Sequence, residues 1–376
     1  MRNLASVQRI KSLSPIEGAD KIEKAEILGW ECVVKVGEFK VGDLAIYCEI
    51  DSVLPELSCF EFLRSRKFRI RTVRLMKQIS QGIAFPLSIL LNQFPVNDPF
   101  DQNDINELKE GYDLTDVLGI IKYDPEAADE VQEQEKKSWL SNKISYYKWK
   151  LFGIRPVKHK DGFPVDCPKT DENRVQVMGG QLAKREGQPI QISEKCEGQS
   201  FTFIYRKNKS WLSKFFGQDS SFQVCSRNRV VFNSLKGGIT TNHLVKVAEK
   251  YHIYESMKKL NCNLAIQAEC IGPKVQGNIY KLPEHEIRVF SIFDIDNQKY
   301  VDYERLVDLC VMFNLPMVPI IGFENIKNDI KYYVELSKGK SQINSSILRE
   351  GIVCRHLTEN FSFKSINPEY LLGQKD

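Results

Sequence analysis

Four short segments of this chain alternate charged and apolar residues, so that on a strand each charge would point away from its apolar neighbours. Lys195 lies in Ser193-Glu194-Lys195-Cys196-Glu197-Gly198, and Glu269 in Gln267-Ala268-Glu269-Cys270-Ile271-Gly272. Glu350 opens Glu350-Gly351-Ile352-Val353, and Lys364 ends Ser362-Phe363-Lys364. Val353 and Phe363 fall on faces opposite to Glu350 and Lys364, which fits side chains projecting from a sheet into a shared cleft. One amine among several carboxylates in such a cleft suits attack on a metal-bound phosphate.

The expectation is electrostatic. A lysine with an ordinary pKa of about 10.4 is a poor nucleophile, and a second cation or a bound metal nearby favours its neutral form. Lys364 is expected to supply that cation. Mg2+ or Mn2+ held by the carboxylates would neutralise charge on the phosphate and the leaving pyrophosphate. The expected product is a lysine phosphoramidate.

At these residues the sequence resembles the covalent nucleotidyltransferases, which include polynucleotide ligases and mRNA capping enzymes. Their Lys-x-Asp-Gly signature is similar to Lys195-Cys196-Glu197-Gly198. It is followed in order by Ser226-Arg227-Asn228, Gln267 to Gly272, Arg288 to Asp294, Glu350 to Val353 and Ser362 to Lys364. The upstream run Pro168 to Gln176, with Gly18-Ala19-Asp20-Lys21-Ile22 and Val41-Gly42-Asp43, narrows the resemblance to the Deinococcus-type ATP-dependent RNA ligases, RNA ligase family 5. It covers nearly the whole chain, and in that family an OB domain precedes the catalytic domain.

The resemblance implies an α+β protein with an N-terminal OB-type β-barrel followed by a ligase-type nucleotidyltransferase domain. It implies ATP as cofactor, and RNA or an RNA/DNA duplex nick as partner, sealed through lysyl-AMP and an adenylylated 5′ end. Lys195 is the expected nucleophile and Lys364 the α-phosphate contact. Glu194, Glu197, Arg174, Glu269 and Phe290 are expected to hold the nucleotide, Glu350 and Glu269 the metal, and Arg227 the nucleotide or the 3′-hydroxyl end. The family's last motif is usually Lys-x-Lys, but here Ser362 and Ile366 flank Lys364 at the alternate positions. Either Lys364 acts alone or another basic residue has taken over the missing role. The alternatives are a GTP-dependent capping-type enzyme and a non-catalytic RNA-binding protein.

Length supports two domains. The 376 residues divide at an acidic stretch, giving an OB domain with its junction over 1–137 and the adenylyltransferase domain over 138–376. Hydrophobic residues at 42% and charged residues at 27% fit a globular chain, and the net charge of +4 is too mild to argue nucleic-acid binding by itself. Ten cysteines without a Cys-x-x-Cys pair, and only five histidines, give no zinc spacing. Cysteines inside apolar runs point instead to a reducing compartment, cytoplasmic or otherwise intracellular. No apolar stretch reaches the length of a signal peptide core or a membrane span, and a monomer is expected.

Strands are expected at 30–36, 44–50 and 67–75 in the first part. The third would place Lys67, Arg69 and Arg71 on one face as a phosphate track. The cluster Arg206 to Trp211 is a second basic candidate. Residues 97–137 read as an acidic, partly solvated junction, least ordered over 127–137, with a helix over 138–151. Helices are further expected at 241–260, 303–313 and 328–338.

Overall fold

The computed structural model describes residues 3–91, 100–123, 162–207, 220–234, 237–238 and 242–373. The chain divides into two compact units, Met1–His159 and Lys160–Asp376. The expected solvated run 127–137 and the helix over 138–151 lie outside the described residues.

In the first unit the eleven-residue strand Ala5–Pro15 serves two partners. Its beginning pairs with Leu44–Cys48 (Ala5 opposite Cys48) and its end with Ile22–Ile27 (Pro15 opposite Glu23). The second pairing begins at Ile10, and its register shifts between Ile10 and Ser12, as expected where a strand bends between two parts of a barrel. Trp30–Lys35 and Ile83–Pro86 complete the five-stranded sheet at its two edges. Val7, Ile10, Ile27, Trp30 and Tyr47 in this sheet are all fully buried. This is the expected OB-type architecture.

Two expectations in this unit need correction. No strand runs from Lys67 to Leu75. A 3-10 turn spans Ser58–Arg66, Lys67 and Phe68 then adopt left-handed φ values of 51° and 59°, and only Val73–Leu75 is extended. Phe68 and Ile70 are buried, so the alternation of apolar and basic residues is real, but it comes from a coiled segment anchored by two side chains. The acidic stretch also packs more than expected before residue 124. Asp101 caps the helix Gln102–Glu107 in a capping box with Asp104, and Leu114, Leu118 and Ile120 are buried.

The second unit holds two sheets. The seven-stranded antiparallel sheet runs in the order Gly237–Gly238, Val230–Asn233, Ser220–Ser226, Gln199–Lys207, Leu264–Ile271, Glu286–Asp294, Lys299–Tyr300. The five-stranded sheet runs Asn173–Arg174, Ser362–Ile366, Gly351–His356, Pro189–Lys195, Ile320–Asn325, with its first pair parallel. Period two decides what each face does. Phe201, Phe203, Ile266 and Ala268 turn outward onto the helices His243–Lys250, Ile253–Leu260 and Tyr303–Met312. Ile190, Ile192, Ile352, Cys354 and Phe363 turn onto the helices Gly179–Lys184 and Ile330–Ser337, around Leu182 and Tyr333. The polar residues left between these positions line the inner faces, which carry the site.

The expected single helix over 241–260 is two helices. His252, at φ 49°, separates them. At about 100° per residue, Ile253 in a straight helix would lie roughly half a turn from Leu244. The break brings both into one core, where Ile253 is 0% and Leu244 1% exposed. The other two expected helices are present as Tyr303–Met312 and Ile330–Ser337. Among the described residues, no helix is long and apolar enough to cross a membrane.

Candidate active site

Lys195 ends its strand opposite Gly351, so the residue just before that glycine, Glu350, is brought beside the lysine amine. Nζ of Lys195 lies 2.7 Å from the Glu350 carboxylate. Both glycines of this region are required by close approach. A Cβ on Gly351 would overlap the Ser365 carbonyl, and one on Gly198 would overlap the Cys270 carbonyl.

Three carboxylates surround the amine. Burial pulls the Lys195 ammonium down, but Glu350, Glu269 and Glu197 outweigh it and hold the pKa above the ordinary lysine range. The same crowding acts on the acids. Burial, with Glu350 and Glu197 adding repulsion against the pull of Lys195, pushes Glu269 up to about 8. Burial and Glu350 push Glu197 up to about 7, against Lys195 and a hydrogen bond from Tyr370. This corrects the expectation that Lys364 keeps Lys195 neutral. In the protein alone Lys195 is an ammonium in a carboxylate cage, and a proton must leave before it can attack.

The side that holds Lys364 is built by register. Arg174 pairs with Lys364 in the parallel strands, and Lys364 pairs with Val353 in the antiparallel ones, so the arginine and the lysine stand side by side. Nζ of Lys364 lies 2.9 Å from Asp171 Oδ1, and Arg227 lies 3.0 Å from Oδ2 of the same carboxylate. Burial lowers the pKa of Lys364, and Lys195 and Arg174 add to this while Asp171 opposes it.

Beyond Lys364 a cavity of about 270 Å3 is lined by Glu172, Gln191, Gln267, Phe290, Tyr300 and Arg355, among others. Arg355 pairs with Glu172 at 2.5 Å and stands 5.1 Å from the centre of the Phe290 ring. Burial raises the Glu172 pKa, but Arg355 and Lys364 outweigh it and keep the carboxyl below its usual range. Phe290 is half-buried and open to this cavity, whereas Phe293 is core, 5% exposed.

The structure thus brings together Lys195, Glu197, Glu269, Glu350, Lys364, Arg174, Arg227 and Phe290. Glu194 is the exception. One residue out of phase with Lys195, it turns to the other face, is 1% exposed, and accepts the Gln342 N–H at 2.6 Å, so its side chain is outside the cluster. Cys196 also turns away from Lys195, into an apolar cluster with Ile271 and Tyr280, and burial drives its thiol pKa well up. In the first unit Arg69 is engaged by Asp51 at 3.2 Å and by the Tyr123 ring at 3.5 Å, Arg71 is half-buried, and Lys67 is exposed. Arg206 is committed to Asp166 through two hydrogen bonds and to Gln223, which removes it from the second basic candidate, and 208–211 lie outside the described residues.

Sequence reasoning missed Asp171, Glu172, Arg355, Tyr280 and Tyr370. Tyr280 fixes the backbone of the motif by accepting the Glu197 N–H at 2.8 Å. The adjacent acids Asp171 and Glu172, just before Arg174, were the available signal. Arg355 had no such signal: alternation from Glu350 put Val353, and with it Arg355, on the far face, whereas Glu350 precedes the strand and it is Ile352 and Cys354 that take the outer face, which turns Val353 and Arg355 inward.

Among the described residues no group of three or more His, Cys, Asp or Glu forms a metal cage. The donor set nevertheless fits a hard divalent ion. Mg2+ is commonly held by one or two carboxylates plus substrate phosphates and water, and the mutual repulsion among Glu197, Glu269 and Glu350 is what such an ion relieves.

An inward-facing lysine with a carboxylate cluster and a neighbouring arginine–lysine pair defines, with the two sheets, a covalent nucleotidyltransferase fold joined to an OB unit. The model of the OB-fold domain matches residues 4–87, and that of RNA ligase matches residues 188–366. The chain thus carries an OB-fold domain followed by an RNA ligase domain. Solved structures of a Naegleria gruberi RNA ligase are similar over their whole length. A variant with ATP and manganese has TM-score 0.78 and 29% identity, covering 100% of both chains. A variant with AMP and manganese has TM-score 0.77 and 29% identity, covering 98% of both. The form with pyrophosphate has TM-score 0.77 and 29% identity, covering 99% of this chain and 98% of that one. Among curated protein sequences, none matches this chain.

Proposed function

We propose that this RNA ligase uses ATP and Mg2+ or Mn2+ to join a 3′-hydroxyl to a 5′-phosphate at nicks in a duplex. The observation that carries the reading is Lys195 Nζ, 2.7 Å from Glu350 and within the field of Glu269 and Glu197. Lys195 gives its proton to this carboxylate group, and its nitrogen lone pair then forms the bond to the α-phosphorus while the bond to pyrophosphate breaks. Lys364 and Arg174 oppose the charge that develops on the phosphate oxygens. Glu350 with Glu269 or Glu197 would hold a divalent ion, which would supply Lewis-acid neutralisation of the same charge. AMP next passes to the 5′-phosphate, restoring the amine, and the 3′-hydroxyl displaces AMP to leave the phosphodiester.

Phe290 offers a face for the adenine, Arg227 a contact for the nucleotide or the 3′-hydroxyl end, and Lys67 and Arg71 contacts for the nucleic-acid backbone. All ten cysteines are free thiols, which supports a reducing intracellular compartment.

The test is incubation with α-labelled ATP or GTP, followed by sealing of matched nicked duplexes that differ only in the sugar on each side of the nick. Label from ATP on Lys195, and sealing that requires ribose on at least one side, are the expected results. Label from GTP alone would favour a capping-type enzyme, and sealing indifferent to sugar would remove a requirement for RNA at the nick.

A further inference from the structure

We propose that Asn367 is a positioning residue for the carboxylate cluster: its two N–H donors fix the backbone on both sides of Glu350 and so aim that carboxylate at Lys195. The inference rests on the ligase reading above, in which the Lys195–Glu350 pair begins the reaction.

Glu350 has to be held by something other than the sheet. It precedes the strand Gly351–His356, whose pairing with Lys195 and with Ile366 begins only at Gly351. The residue after it is that glycine, and glycine leaves the backbone freer than any side chain would. A carboxylate just outside a strand keeps one direction only if the peptide planes on its two sides are fixed.

Asn367 fixes both. Its backbone N–H donates to the Glu350 carbonyl at 2.9 Å, and its side-chain Nδ2 donates to the Arg349 carbonyl at 3.3 Å. Those carbonyls belong to the peptide units after and before Glu350. Each unit is planar, so pinning the two sets φ and ψ of the residue between them, and with these the direction of its Cα–Cβ bond. Arg349 is tied from its other end as well, since its guanidinium donates to the carbonyls of Leu336 at 2.9 Å and Ser337 at 3.2 Å, where the helix Ile330–Ser337 ends. Asn367 is 0% exposed, so bulk water cannot stand in for its amide.

The amide oxygen has a second task. Oδ1 accepts the Glu369 N–H at 3.0 Å and caps the short helix Pro368–Gly373, whose Tyr370 hydrogen-bonds Glu197. Capping asks only for an oxygen, which serine or threonine also supplies, so the amide nitrogen is the atom that a cap does not use. The two backbone partners, one a donor and one an acceptor, settle which end of the amide is which.

The test uses Asn367→Ser in the full-length protein, which keeps a capping oxygen and removes the nitrogen, with Asn367→Thr as the second form if the serine variant unfolds. Matching melting temperatures establish folding. Single-turnover lysyl-AMP formation should slow about tenfold, while half-saturation by ATP changes less than about twofold because Asn367 does not line the nucleotide cavity. In a Glu350→Gln background the same change should add less than about twofold, since the group it positions is gone. In metal-free protein at pH 8, labelling of Lys195 by an amine-reactive probe should speed up about threefold, toward the rate of Glu350→Gln. A near-wild-type rate of lysyl-AMP formation, or a tenfold loss that multiplies with that of Glu350→Gln, would overturn the proposal. A wild type that forms no lysyl-AMP removes the ligase reading, and the labelling then judges Asn367 by itself: faster labelling keeps the proposal and unchanged labelling removes it.

Discussion

Glu350 holds the Lys195 ammonium at 2.7 Å, so the proposed nucleophile is stored in its unreactive form in the resting protein. Removing the anion should free it. In metal-free protein, Glu350→Gln should lower the apparent pKa of Lys195, seen as a shift to lower pH in the labelling of that residue by an amine-reactive probe. The same variant should lose lysyl-AMP formation by about a hundredfold or more, because the carboxylate for the divalent ion is gone. An unchanged labelling profile would mean that Glu269 and Glu197 alone hold the proton.

Lys195→Ala should abolish lysyl-AMP formation yet still join a pre-adenylylated 5′ end, since only the first step uses the amine. Gel analysis of both reactions, in protein whose melting temperature matches wild type, checks this. Equal loss of both steps would remove the nucleophile assignment.

Lys364 is the single lysine of its motif, side by side with Arg174 and tied to Asp171. Lys364→Ala should slow single-turnover lysyl-AMP formation by about a thousandfold. Lys364→Arg should recover little of that loss, because the guanidinium fork differs in reach and shape from the ammonium it replaces. Full recovery by arginine would assign Lys364 a diffuse charge role.

The raised carboxyl groups make stability fall as pH rises. With folded values of about 7 for Glu197 and about 8 for Glu269, both above the ordinary carboxyl range, the folded state binds more protons than the unfolded one between about pH 5 and 8. Stability therefore declines across that window. Glu269→Gln should flatten the decline. Mn2+ should raise the melting temperature more at pH 8 than at pH 6, which calorimetry can measure with and without chelator.

Much of this was legible in the chain because period two is a local rule. Lys195, Glu269 and Lys364 stand on the inner faces for the same reason that Ile192, Cys270 and Phe363 stand on the outer ones. The same rule, applied to Glu194, puts its side chain with the outer set. What the chain did not disclose depends on partners distant in sequence. Asp171 reaches Lys364 across 193 positions, and Glu172 reaches Arg355 across 183. No local pattern announces such pairs. The basic run after Arg66 misled for a different reason, since Lys67 and Phe68 adopt left-handed backbone that alternation alone does not exclude. In the same way, the inward pull of Ile253 broke a helix whose periodicity read as continuous.

Cys196 sits one residue from the proposed nucleophile, and sulfur is intrinsically the stronger attacking atom when ionised. Strand geometry removes it from competition. Its side chain is on the reverse of the sheet, 4% exposed, and its burial keeps it a neutral thiol. On the proposed mechanism, the choice of a phosphorus–nitrogen bond over a phosphorus–sulfur bond is therefore made by which way one strand position faces. The same placement shields the neighbour of the working amine from oxidants and alkylating agents, so that chemical damage to the motif would have to arrive through the nitrogen.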